Sequence, residues 1–421
     1  MSFVTNNPGN IMASRAARSL LDDIQKRISA RMAEMESRDY LGLLHMIRDE
    51  LAREEDIDAW IAGEFASLST QLADARLTDE LGHLYEKLTT LAVRHFQARS
   101  SVSTLHEFCD RAMEVLLSTS MTIAVELLRQ EGHRQPDCAW TLFASDGLGR
   151  REATGKSPLA IIFIHDEDDG EGAGGYFHLL ALQLIAILSQ CGILLQIGPL
   201  RNGHVFWHGP LGQWRQLMLE SSSHQGVDAA GSPQSDRYAR AIELMADLRP
   251  LCGDMALAGR VTEMTGAILA WEREREPFRQ LARRVATMPV ALGIFGRFRT
   301  ARSGKHRGEF SLDEMAIGPL VASVRLMAIA CGIRETSTTE RIKALQAGSH
   351  LGVALADRLL VALHDFTRCQ IDRQIAAGAG GEEHFFNPDL LGDEGKERFK
   401  AGLEDLTTLQ RLVYQQIVEV D

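Results

Sequence analysis

Residues 147–157 read GLGRREATGKS, and three basic side chains, Arg150, Arg151 and Lys156, crowd this one glycine-rich turn. A turn ending in Gly-Lys-Ser suggests phosphate binding. Backbone amides and a following helix N-terminus cradle the anion when the spacing is G-x-x-x-x-G-K-[ST]. Here the spacing fails. The residue five before Gly155 is Arg150, and Gly149 comes one position too early. Ser157 is then followed by Pro-Leu-Ala-Ile-Ile-Phe-Ile, which signals a strand rather than a helix. The segment therefore reads as strand, glycine-arginine turn, strand. Its cationic groups suit charge-assisted hydrogen bonds to a phosphate or an acidic partner. Arg150 is equally suited to tie the turn to Glu152 or Asp247.

The elements around this turn follow from hydrophobic spacing. Residues 13–130 repeat apolar positions at helical intervals, as in Leu20, Leu21, Ile24 and Ile28, then Leu41, Leu44, Ile47 and Leu51, with charges on the other faces. The texture changes near residue 136. WTLFAS and PLAIIFIHD are short apolar runs, bounded by glycine-rich or acidic turns, and predict strands. EDDGEGAGG (167–175) predicts an acidic loop, followed by a helix over about 175–191 and a strand, ILLQIG, at 193–198. FWHGPLGQW predicts a turn into a helix, and 221–235 predicts a loop. From about 254 to 419 the pattern is helical again. It is broken by a hairpin-like excursion at 289–312 and a glycine-rich stretch at 376–391.

Composition narrows the function classes. The chain has 421 residues, 45% of them hydrophobic, which is enough for two or three domains with real cores. A net charge of −12 argues against coating nucleic acid. Six cysteines are scattered without a CxxC pair, as in a cytoplasmic protein with reduced thiols. No run of about 18 apolar residues occurs, so no membrane span is expected. His204-x-x-x-His208 has metal-ligand spacing but is flanked by Gly203, Gly209 and Pro210, which favours a loop. Trp207 and Trp214 read as packing residues. Arg358 and His364 read as ordinary helix residues, and Ser337–Glu340 as a helix cap.

The order of motifs resembles the nucleotidyltransferase superfamily. It is most similar to the PII-uridylyltransferase-like family often fused to CBS and cyclic-nucleotide-binding domains. The resemblance is carried by G-L-G-R-R-E-x-T-x-x-S, by HGPLGQW (208–214) and by ADLRPLCGD (246–254). It continues through GPLVASVRLMAIACGIRETSTTERIKAL (318–345) and NPDLLGDEGKERFKAGLEDLTTLQ (387–410). It covers about residues 90–419. It implies an α+β, mostly helical fold: a small mixed-sheet nucleotidyltransferase-like module between an N-terminal helical region and a C-terminal helical bundle. The expected divisions are 1–90, 91–254 and 255–421.

In that family a Gly-Ser turn holds a nucleoside triphosphate, and an Asp-x-Asp pair on the next strand binds Mg²⁺. Carboxylates two apart on a strand face the same side, and bridged phosphates need hard oxygen ligands. Aligned through Gly149-Arg150-Arg151-Glu152, the two carboxylates fall on Pro158 and Ala160, and the Gly-Ser pair falls on Asp146 and Gly147. Asp166, Glu167, Asp168 and Asp169 lie at the far end of the strand. Asp166 is about 20 Å from Ala160 when extended, too far to substitute for it.

The resemblance thus implies a nucleotide site built from Gly147, Gly149, Arg150, Arg151, Lys156, Ser157, Asp247 and Arg249, with no catalytic residue and no metal ligand. Arg325 and Arg341 are expected to point toward the cleft. The expected role is a catalytically impaired, regulatory module that binds a nucleotide or a protein partner, with a homodimer also compatible. The alternatives are an active transferase, with Mg²⁺ held by carboxylates such as Asp146 and Asp247, and a purely structural interaction protein.

Overall fold

A computed structural model describes residues 40–154, 159–166, 173–198, 204–222, 233–293, 296–377 and 384–419. Lys156, Ser157 and Pro158, the acidic residues 167–169, His204's neighbour Gly203 and most of the loop expected at 221–235 lie outside them.

Among the described residues three helices lead: α1 (Tyr40–Asp74), α2 (Thr78–Arg99) and α3 (Val102–Gln130). Ser101 caps α3 by accepting from the Thr104 N–H at 3.4 Å. A five-stranded sheet follows, in the order β3-β4-β2-β1-β5. Its strands are β1 (Trp140–Ser145), β2 (Leu159–His165), β3 (Gln196–Ile197), β4 (Val205–Pro210) and β5 (Arg249–Gly253). β1 runs antiparallel to β2 and β5, while β2–β4 and β3–β4 are parallel. Between them lie α4 (Ala173–Gln190), α5 (Leu211–Ser222) and α6 (Pro233–Ala246).

The apolar runs of β1 and β2 are continuous because both faces of the sheet are covered. Alternate residues divide between two cores. Leu142, Ala144, Ile161 and Phe163 pack with α1, α3 and α4 on one side. Phe143, Ala160, Ile162 and Ile164 pack with α5, α6 and the C-terminal helices on the other. That period of two is the strand geometry expressed as burial.

The C-terminal region comprises α7 (Met255–Glu272), α8 (Glu276–Ala286), α9 (Gly318–Ala330), α10 (Thr338–Ala347), α11 (Val353–Ala377) and α12 (Asp393–Val413). A minor pair, β6 (Phe310–Ser311) with β7 (Phe385–Phe386), closes one end. The fold is α+β and mostly helical, as the sequence indicated.

Three details differ from the sequence reading. The strand expected over 193–198 shortens to Gln196–Ile197, because only those residues pair with β4, while Leu194 lies exposed at the sheet edge. The expected loop ends by 233, where Pro233 opens α6. His208 lies in strand β4, not in a loop, with its Nε2 3.2 Å from Nδ1 of His178. Trp214 is fully buried against Trp207, as packing residues should be. Among the described residues no helix is long and apolar enough to cross a membrane.

Candidate functional site

β1 and β2 are joined through a single helical turn, Asp146–Gly149. Asp146 opens it with φ of +57°, the left-handed region that glycine enters freely and aspartate tolerates. This is the position onto which the family's glycine falls. Its carboxylate would repel a triphosphate if left free. Instead Arg240 of α6 holds it in a two-pronged pair, Nη1 to Oδ1 at 2.5 Å and Nη2 to Oδ2 at 2.8 Å.

The turn ends against an unusual cluster. Asp247, at the junction of α6 and β5, has no solvent exposure. Its carboxylate accepts from three guanidiniums: Arg150 Nη1 at 2.8 Å, Arg325 Nε and Nη2 at 3.1 and 2.7 Å, and Arg341 Nη1 at 2.8 Å. Burial alone would push this carboxyl up. Arg325, Arg341 and Arg150 outweigh it and hold the group well below the usual carboxylate range. Arg150 bridges onward to Glu152 Oε2 at 2.9 Å, and Glu152 Oε1 accepts from the backbone N–H of Thr338 at 2.7 Å. That N–H opens α10, whose N-cap Ser337 makes no side-chain cap bond of its own. A carboxylate from the turn thus caps a helix of the C-terminal region.

Gly149 makes this junction sterically feasible. A Cβ there would lie 2.0 Å from the Asp247 carbonyl oxygen and 3.1 Å from that of Ala144. Gly149→Ala is therefore expected to destabilise the protein by about 3 kcal/mol, since neither backbone can yield without moving a strand end. A drop in the urea midpoint with unchanged slope is the expected signature. A wild-type midpoint would show that the junction relaxes.

Beside the turn opens a cleft of about 1370 Å³, walled by α1, α3, the Asp146–Glu152 turn, α6, α8, α9 and α11. On the α3 wall, His106 and Asp110 stand one helical turn apart. Nε2 of His106 is buried without a hydrogen-bond partner among the described residues. Burial pushes this imidazole down to about 4, against a smaller upward pull from Glu152. Asp110 is 4% exposed and accepts one N–H, from Ala153 at 3.3 Å. Burial pushes its carboxyl up to about 8, with Arg249 and Arg151 opposing. Burial thus favours the uncharged form of both groups. Arg151, in the left-handed region at φ +60°, is exposed on the rim and makes no ion pair among the described residues.

The structure therefore distributes the sequence-derived residues unevenly. Gly147, Arg150 and Arg151 line the cleft. Gly149 is buried against the Asp247 backbone. Asp247 is sealed beneath three arginines. Arg249 donates to Glu114 Oε1, itself on the cleft wall, at 2.6 Å and to the Leu148 carbonyl at 2.7 Å. Arg325 borders the cleft while bonded to Asp247, and Arg341 is buried on it. Both ties weighed for Arg150, to Glu152 and to Asp247, are present at once.

A Mg²⁺ site of the family's kind does not fit these residues. Ala160 is wholly buried and pairs with Ser145. Asp146 and Asp247 already serve guanidiniums. Among the described residues no group of three or more His, Cys, Asp or Glu is arranged to hold a metal. His106, Asp110 and Arg240 were missed in the sequence. The first two were visible only as two of many polar residues on an amphipathic helix, and Arg240 gave no local signal.

Comparison with known proteins settles the lineage. A family profile described as "Putative nucleotidyltransferase DUF294" matches residues 86–226. A second, described as "Putative nucleotidyltransferase substrate binding domain", matches residues 275–417. The chain belongs to this nucleotidyltransferase family. No curated protein matches it. The two nucleotidyltransferase segments face each other across the cleft. The first supplies α3 and the Asp146–Glu152 turn, and the second supplies α8, α9 and α11. The cleft residues of α1 and α6 lie outside both matches.

Proposed function

We propose that this nucleotidyltransferase-family protein binds a nucleotide in the cleft without Mg²⁺ and has lost ordinary nucleotidyl transfer. The observation that carries this reading is Ala160. The position where the family's strand presents a metal carboxylate holds a methyl group inside the core, opposite Ser145. Pro158 stands at the other carboxylate position. Without those ligands, the electrostatic clamp on a phosphoryl transition state is missing. The two nearby acids cannot replace them while bonded to arginine.

Nucleotide binding is supported by the size and chemistry of the cleft. At about 1370 Å³ it exceeds the roughly 300–1,000 Å³ usual for small-molecule sites. It lies beside the glycine-arginine turn. A segment similar to a nucleotidyltransferase substrate-binding domain forms the facing wall. Binding without transfer leaves a conformational output, which a partner protein reads through the helical surfaces.

Calorimetric titration with each of the four nucleoside triphosphates, in Mg²⁺ and in EDTA, tests the reading. Micromolar binding is expected in EDTA, tightened no more than about threefold by Mg²⁺. Mg²⁺-obligatory binding with release of pyrophosphate would restore the transferase reading. Absence of binding to all four would remove the nucleotide altogether.

A further inference from the structure

We infer that Arg111 of α3 and Arg151 of the glycine-arginine turn form a polyphosphate-binding pair at the rim of the cleft, holding the phosphates by guanidinium with no metal between. The inference rests on reading the cleft as a nucleotide site and assigns its phosphate end.

The distribution of charge carries it. Among the described residues six arginines and no lysine border the cleft. Four are committed: Arg150 and Arg325 to Asp247, Arg240 to Asp146 and Arg284 to Asp236. Arg111 and Arg151 are exposed and make no ion pair among the described residues. Most of the bordering acids are engaged as well. Glu114, Asp146, Glu152 and Glu243 each meet an arginine, Asp313 accepts from Gln370, and Glu340 meets Lys343. Glu107, one helical turn before Arg111, and the enclosed Asp110 remain.

Position is the second observation. The left-handed backbone of Arg151, at φ +60°, is unfavourable for a non-glycine residue and persists only where its surroundings fix it. Both neighbours do so. Arg150 is bonded to buried Asp247, and Glu152 to Arg150 and to the Thr338 N–H. On α3, the Asp110 carboxylate accepts from the Ala153 N–H at 3.3 Å. That bond pins the helix to the turn one residue from Arg111 and two from Arg151. Both residues are thereby placed beside one stretch of rim before a ligand arrives, which lowers the ordering cost of binding. Guanidinium forks engage phosphate oxygens two at a time, and two forks suit a ligand with several phosphates.

Calorimetry on the full chain in EDTA tests the pair with inorganic triphosphate and with each of the four nucleoside triphosphates. It compares wild type with Arg111→Gln, Arg151→Gln and Glu107→Gln, each first checked for a wild-type thermal midpoint. Arg134→Gln, which removes an exposed arginine that does not border the cleft, controls for net charge. Inorganic triphosphate and nucleotide are both expected to bind wild type, less tightly as salt rises. Arg111→Gln and Arg151→Gln are each expected to weaken both probes about tenfold. Glu107→Gln is expected to tighten them about twofold, and Arg134→Gln to change neither.

Inorganic triphosphate that fails to bind wild type would overturn the pair. So would variants at Arg111 and Arg151 that lose no more affinity than Arg134→Gln. Nucleotide binding that persists in those variants would leave the nucleotide site standing elsewhere in the cleft. Inorganic triphosphate bound through both arginines, with no nucleoside triphosphate bound at all, would sustain the pair and remove the nucleotide.

Discussion

Replacing Asp247 by asparagine is expected to lower the unfolding free energy by about 3–5 kcal/mol at pH 7, the usual cost of breaking a buried ion cluster by removing one partner. The geometry leaves little room for relief. The carboxylate has no exposure, and its three guanidiniums approach from the turn, α9 and α10. The asparagine side chain would keep the shape but leave three cations with no anion at their centre. Arg341 would retain bonds to the Glu335 and Ala246 carbonyls, which hold it in place facing the deficit.

The pH dependence has a definite sign. The folded-state affinity of Asp247 for a proton lies below that of the unfolded chain, so its contribution is present above the ordinary carboxylate range and lost as pH falls toward the lowered value. Urea unfolding at pH 7 and pH 3 checks both parts. The variant should be the weaker at pH 7, and the gap should narrow at pH 3. A difference under about 1 kcal/mol at pH 7 would mean the cluster is not stabilising.

Asp110 should act in the opposite direction. Its carboxyl rises from 3.8 to about 8 on folding, through burial first, with Glu114 adding to the rise and Arg249, Arg151 and the Ala153 N–H opposing it. The folded state therefore holds this proton more tightly than the unfolded one. The contribution is complete below about pH 4 and is lost as pH climbs through 8. Each tenfold difference in proton affinity is worth about 1.4 kcal/mol, which sets a ceiling of about 5–6 kcal/mol.

Because the cleft admits water beside the carboxylate, a loss of about 2–3 kcal/mol between pH 5 and pH 9 is the expected measurement. Asp110→Asn cannot ionise. It should match wild type at about pH 4, exceed it at pH 9 and flatten the curve between. Parallel curves for the two proteins would show that Asp110 titrates normally.

Much of the architecture could be read from the chain. WTLFAS and LAIIFIH announced strands, and both proved to be central ones buried on two faces. Failure of the phosphate-loop spacing at Gly155 indicated a strand after the turn, and β2 is that strand. The substitution of alanine at 160 was visible without coordinates. What it meant for the core was not.

Beyond the ties of Arg150 to Glu152 and Asp247, the charge clusters escaped sequence reasoning for a simple reason. Arg150, Arg325 and Arg341 stand 97, 78 and 94 positions from Asp247, and Arg240 stands 94 from Asp146. Such partners share no period and no local motif. They become neighbours only when α6, α9 and α10 dock on the turn. His106 and Asp110 share a helix face, but their spacing alone does not distinguish a cleft wall from a satisfied core.

The two-sided burial of the sheet bears on where this protein can be cut. The family resemblance in the first half begins at residue 86, yet Phe65, Leu68, Leu72, Leu81 and Leu84 already belong to the core that covers one sheet face. A fragment trimmed to the matched segment would strip that core of its outer layer and wet the surfaces of α3 and α4 that lie against it. The limit of shared ancestry and the limit of cooperative folding therefore fall at different residues. Among the described residues, the end of α1 and the start of α2 pack into that core.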